Sequence, residues 1–161
     1  MIYKTYNLNY MVALCILIVF IFIPATAAGQ LQYLNNLDKI PDHPRILFLK
    51  DEEDSVKKSI ENNHVMHTIH NEILNACEKM LDVNPVVYIK SGKRLLEVSR
   101  RALKRIFYLS YAYRLTDDCR YLKRAEKEML AVAKFKDWNP THFLDVAEMT
   151  MAMAIGYDWL Y

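Results

Sequence analysis

Glycine is scarce in this chain, with three residues in 161. No segment alternates apolar and polar residues over strand length, and the two shortages together leave no sheet to expect. Cysteine is equally rare, also three, and no spacing matches a zinc motif. Charge of one sign is lacking as well: 21 Lys and Arg against 19 Asp and Glu give a formal net charge of +2. A nucleic-acid-binding domain is expected to be strongly basic, which disfavours that class but leaves room for a locally basic groove. Missing too is an apolar run of roughly 20 residues, the length that a membrane-crossing helix needs.

The longest apolar run that is present goes from Met11 to Ile23, with Lys4 ahead of it and Pro24 and Ala25-Thr26-Ala27-Ala28 behind it. A positive start, a short apolar stretch and a small-residue cleavage site predict a Sec-type signal peptide over residues 1–28, and hence a secreted or periplasmic protein with no membrane segment after cleavage. Cys15 lies inside the run, so lipoprotein processing there is not expected. Cys77 and Cys119 remain. In an exported chain they can pair, or each can pack as a small apolar group, and the small number favours packing.

Residues 29–50 read as an extended lead-in and residues 51–161 as an all-α domain. His43 is held out of the helical region by Pro44. Asp51 is expected to cap a helix whose first turn is acidic through Glu52, Glu53 and Asp54. A second helix over Val65–Leu81 carries Ile69, Ile73, Leu74 and Cys77 on one face, and Asn84-Pro85 ends it. Leu95, Leu96, Ala102, Leu103, Ile106, Leu109 and Tyr113 then recur at helical spacing, with a return helix from Asp118 to Phe135 after the turn Thr116-Asp-Asp118. The class expected is all-α, built from antiparallel helical hairpins.

Three constellations invite chemistry. His64, His67 and His70 suggest a metal, but steps of three residues on a helix splay the outer pair about 120° apart, so they cannot converge on one ion and read as polar-face histidines. Lys93, Arg94, Arg100, Arg101, Lys104 and Arg105 can hold an anionic polymer through guanidinium contacts, or form a solvated helix face with Glu97 supporting Arg101 at i,i+4. The solvated face is favoured. The third is Asp137-Trp-Asn-Pro-Thr-His-Phe-Leu-Asp-Val-Ala-Glu148. Asn139 is expected to cap a helix with Pro140 at its first position. His142 and Asp145 stand one turn apart at a helix start that favours anions, beside Trp138, a surface on which a sugar ring can stack. Substrate binding by Trp138, Asn139, His142 and Asp145 competes evenly with a plain cap and a core tryptophan.

The helix over residues 143–160 is apolar nearly all round, so it should be covered on every side. A chain reaching only Tyr161 therefore reads as the opening part of something larger, with self-association through this helix as a consequence.

His43-Pro-Arg-Ile-Leu-Phe48, Arg94-Leu-Leu-Glu-Val-Ser-Arg-Arg-Ala-Leu-Lys-Arg-Ile106, Tyr111-Ala-Tyr-Arg-Leu-Thr116, the Asp137–Glu148 stretch and Gly156-Tyr-Asp-Trp-Leu-Tyr161 carry a resemblance. In this order, over essentially the whole mature chain, the sequence resembles the N-terminal region of heparinase II/III-type polysaccharide lyases, nearest their heparinase II branch. The resemblance implies a partial α/α toroid in residues 51–161. It also implies a fragment of a secreted lyase acting by β-elimination on uronate-containing glycosaminoglycans of the heparin or heparan sulfate kind. An anionic polysaccharide would be the partner, and the elimination itself needs no metal or organic cofactor. Zinc occurs in relatives in a β region absent here. The family's catalytic Tyr and His residues would fall beyond Tyr161, so no catalytic residue is assigned and the chain alone is expected to be inactive. The alternative is a non-enzymatic helical-hairpin module that binds carbohydrate or serves as a scaffold. A repeat scaffold should recur at a period of about 34 residues, and no second copy of the hairpin pattern is present.

Overall fold

The computed structural model describes residues 41–161, so the expected signal peptide and most of the lead-in lie outside the described residues. Five helices follow one another among them: α1 Glu53–Asn62, α2 His64–Leu81, α3 Leu96–Thr116, α4 Cys119–Ala133 and α5 Phe143–Leu160. Among the described residues there is no strand, only an isolated bridge between Ser91 and Arg94 around Gly92, whose φ of 59° suits glycine. The all-α class stands.

Local chemistry sets the helix ends. Asp51 does not cap α1: it sits in the left-handed region at φ 68°, Glu52 occupies the cap position, and the acidic first turn is Glu53 and Asp54. The break between α1 and α2 comes from Asn63, whose Oδ1 accepts Val65 N–H at 2.9 Å and Met66 N–H at 3.2 Å. Between α3 and α4 the turn needs only Asp117, at φ 57°, and Asp118, whose Oδ1 caps α4 by accepting Arg120 N–H at 2.8 Å.

α3 is the central element. Its Ile106, Leu109 and Ala102 are fully buried, and each large side chain so buried contributes about 1.5–3 kcal/mol. Ala102 and Val98 join Val86, Leu95, Val132 and Met149 in one cluster. Leu109 and Ala112 join Cys77, Tyr121 and Ala125 in a second. In a third, Leu115 joins Phe48, Ile60, Ile155 and Trp159. Helix α5 lies close against α3 and α4 at Gly156, where a Cβ would stand 2.6 Å from Ile106 Cγ2 and 2.8 Å from Met129 Sδ.

α5 is not covered on all sides. Met149, Ala152, Ile155 and Trp159 are buried, but Phe143 is 83% exposed and Leu144, Met151, Tyr157 and Tyr161 also face outward. Cys77 and Cys119 are free thiols. Burial, with the Glu78 charge second, pushes the Cys77 thiol up to about 12, so it is inert. Cys119, by contrast, is exposed at the start of α4 rather than packed. Among the described residues no helix is long and apolar enough to cross a membrane.

Candidate functional site

The corner before α5 is built differently from its sequence signature. α5 begins at Phe143, with His142 at the cap position and no side-chain cap. Asn139 and Pro140 lie ahead of the helix, so neither caps nor opens it. Asn139 is buried in the left-handed conformation at φ 60°, a state that asparagine tolerates better than most residues. Its N–H is held by Asp137 Oδ1 at 2.8 Å, and its C=O accepts His142 N–H at 2.9 Å.

The Asn139 side chain is fully engaged. Nδ2 donates to Lys93 O at 2.9 Å and to Asp145 Oδ2 at 2.6 Å, while Oδ1 accepts from Lys90 Nζ at 2.6 Å and from Thr141 Oγ1 at 3.3 Å. Buried Asp145 accepts in addition Leu95 N–H at 2.7 Å, tying α5 to the start of α3. Its second oxygen, Oδ1, is buried with no hydrogen-bond partner among the described residues. Burial pushes the Asp145 carboxyl up. The bonds from Asn139 and Leu95 and the charges of His142 and Arg94 outweigh it, leaving the group below the usual carboxylate range.

Trp138 is half-buried against the cluster of Val86, Leu95 and Met149, with Nε1 donating to Val132 O at 3.3 Å. Much of the indole is thus committed to the interior. His142 is half-buried, and its ring hydrogen-bonds to none of the described residues. The four residues are brought together at one corner, where three of them hold structure and His142 keeps a donor to offer.

A groove runs between α3 and α5, about 530 Å³ in volume and lined by Arg100, Leu103, Lys104, Phe107, Tyr108 and, across from them, Glu148 and Met151. Arg100 Nε donates to Glu148 Oε1 at 3.0 Å, and Lys104 Nζ stands 5.4 Å from the centre of the Tyr108 ring. The basic cluster is therefore split. Arg101 pairs with Glu97 at 2.5 Å as its spacing predicts, but Arg105 turns inward to Asn84 O at 3.0 Å and Glu128 Oε1 at 3.2 Å. Of the three α2 histidines, His70 bonds Tyr111 Oη through Nδ1 at 3.0 Å while His64 and His67 stay exposed. Among the described residues no group of three His, Cys, Asp or Glu side chains converges as metal ligands would.

A second polar centre escaped the sequence reading. Buried Asp158 on α5 receives His43 Nδ1 at 2.5 Å on Oδ1, and the N–H groups of Arg45 and Ile46 on Oδ2, each at 2.8 Å. Trp159 Nε1 donates to Ile46 O at 2.8 Å. Arg114 of α3 binds Phe48 O, Leu49 O and Glu53, with its guanidinium 3.6 Å from the centre of the Phe48 ring. The His43-Pro-Arg and Tyr157-Asp-Trp motifs, from opposite ends of the described chain, are thus one junction. Only their joint presence hinted at it, since spacing along the chain says nothing about pairs so far apart.

Burial raises the Asp158 carboxyl, and the Arg45 and Ile46 N–H groups with His43 bring it below its ordinary value. A lowered folded-state value adds stability above the unfolded value of about 4 and loses it as pH falls through the folded one. Asp158→Asn is accordingly expected to lower the unfolding free energy by about 2 kcal/mol at neutral pH. Urea titrations should show the gap from wild type shrinking below about pH 4, and a pH-independent gap would mean that the charge is idle.

Compared with protein-family models and with curated proteins, the chain finds no match in either.

Proposed function

We propose that residues 51–161 are the opening portion of an α/α toroid of antiparallel helical hairpins, belonging to a polysaccharide lyase exported by the signal peptide expected over residues 1–28. The lyase would cleave uronate-containing glycosaminoglycans of the heparin or heparan sulfate type by β-elimination. This portion frames and binds the anionic polysaccharide. Base, acid and carboxylate neutraliser come from elsewhere in the lyase, so the chain alone does not catalyse. No cofactor in this chain is part of the proposal.

The observation that carries the reading is the α3–α5 groove. Lys104 offers a cation for sulfate and carboxylate groups and Arg100 a second once it exchanges Glu148 for the ligand, beside the half-buried rings of Phe107 and Tyr108. In this reading Trp138, Asn139 and Asp145 brace the end of α5, and His142 adds a donor to the sugar chain.

Heparin titration by calorimetry tests the groove. Arg100→Ala with Lys104→Ala is expected to weaken binding by about tenfold, roughly the worth of one good charged contact, with the effect fading in salt. Unchanged affinity would remove the groove from the proposal. Absorbance near the ultraviolet edge should report no unsaturated uronate product, and a true rise with this chain alone would place an elimination site within residues 29–161.

A further inference from the structure

Between α2 and α3 the segment Pro85–Ser91 keeps a side-chain period of two. Val86 is buried, Tyr88 packs on the same cluster and donates to Asp137 Oδ1 at 2.7 Å, and Lys90 donates to Asn139 Oδ1 at 2.6 Å. Val87 and Ile89 between them are 60% and 64% exposed. Such alternation belongs to an extended backbone, with successive side chains on opposite faces.

Successive N–H groups of an extended chain also point to opposite edges. Val86 N–H is held by Glu128 Oε1 at 3.0 Å, so the amides of Val87 and Ile89 face the other edge. The backbone groups of Val87, Tyr88, Ile89 and Lys90 hydrogen-bond to no described residue. Val-Val-Tyr-Ile is also a strand-favouring composition. Alongside runs a groove of about 350 Å³, lined by Val87 and Ile89 and, from α3, by Glu97, Val98 and Arg101.

An unpaired strand edge of this kind accepts another strand through its main chain, and charge selects the occupant. Lys90 and Arg101 line the groove, and Lys93 and Arg94 directly follow the segment. The one carboxylate in the lining, Glu97, is an exposed i,i+4 partner of Arg101, and Asp137 lies on the opposite face beneath Tyr88. A second copy of the same edge would bring like charges together, which disfavours self-pairing. We infer that Pro85–Ser91 is a docking edge for an extended acidic peptide segment with alternate apolar residues. It pairs with the backbone of Val87 and Ile89 and places carboxylates near Arg101 and Lys93.

A fluorescein-labelled peptide alternating glutamate and valine, titrated into the chain and followed by anisotropy, tests this. Saturable binding is expected, with slowed amide hydrogen exchange at Val87 and Ile89 and no binding of the lysine–valine counterpart. Arg101→Glu should weaken binding by about tenfold, the scale of one charge-assisted contact. Ile89→Pro, which removes one pairing N–H from an exposed position, should abolish it while helix content by circular dichroism is kept. Should that proline perturb the fold, Val87→Glu puts a charge like the peptide's own on the exposed edge without touching the core and should weaken binding likewise. Absence of saturation, binding without protection at Val87 and Ile89, or equal affinity for the lysine–valine peptide would overturn the inference. So would protection of these amides in a peptide-free dimer found by sedimentation.

Discussion

Replacing Glu128 by alanine is expected to lower the unfolding free energy by about 4 kcal/mol, the scale for breaking a buried ion pair from one side. Glu128 is fully buried in α4. Its Oε2 lies 2.6 Å from Arg124 Nη1, as an ion pair off the hydrogen-bond direction, while Oε1 accepts from Arg105 and from Val86 N–H. Arg124 is itself buried, with Nε on Met80 O at 2.9 Å and Nη2 on Val83 O at 3.0 Å. Alanine therefore strands two guanidinium groups, one of them out of reach of water, together with a backbone N–H. Glu128→Gln keeps an oxygen for Val86 and should recover about 1 kcal/mol of the loss. Chemical denaturation of both variants decides it: a loss under about 1 kcal/mol for alanine would class the pair with surface ion pairs.

A β-branched side chain at position 156 comes next in size. Gly156→Val is expected to cost about 3 kcal/mol, because overpacking a close helix contact forces neighbours off their places. The nearest obstacle, Ile106 Cγ2, belongs to a fully buried side chain with nowhere to retreat, whereas Met129 can bend. Gly156→Ala should cost less, since better helix propensity returns about 1 kcal/mol. The mechanism is checked by a double-mutant cycle with Ile106→Ala. Room made at Ile106 should make the pair less harmful than the sum by about 1 kcal/mol or more, and strict additivity would mean that the two side chains do not meet.

The helices were legible where burial is periodic. Ala102, Ile106 and Leu109 are fully buried as their spacing predicts, and the apolar stretch from Phe143 to Leu160 is helical as read. What the sequence hid is polar. Asn139-Pro140 carries the composition of a helix start, but the asparagine amide is drawn away to Lys93 O and Asp145, so the helix begins three residues later. Arg105 sits in a run of basic residues that looks uniformly solvated, and nothing local marks it as the one drawn in toward Glu128. Glu128 likewise stands among α4 charges of ordinary appearance. Asn139 is committed by Lys93 O in another loop, and Arg105 by partners outside its own helix. Glu128, beside its i,i+4 partner Arg124, is sealed in by Val86 and Arg105, and helical periodicity carries no information about such distant contacts. Trp138 shows the same limit, since indole packed on a core and indole offered to a ligand have one sequence signature, and sequence alone left the two even.

The Asp158 junction has a consequence for synthesis. Arg45 and Asp158 are 113 residues apart. During translation, at about 5–20 residues per second, the segment holding His43 and Phe48 emerges many seconds before its carboxylate and indole partners exist. α3 and α4 share contacts that are local enough to form in the meantime. Through that interval Phe48 can meet Ile60, Arg114 and Leu115, but the stretch from His43 to Ile46 lacks its Asp158 and Trp159 anchors and stays protease-accessible. Limited proteolysis of stalled nascent chains should find it cleavable until residues 158 and 159 have cleared the ribosome, and protected soon after.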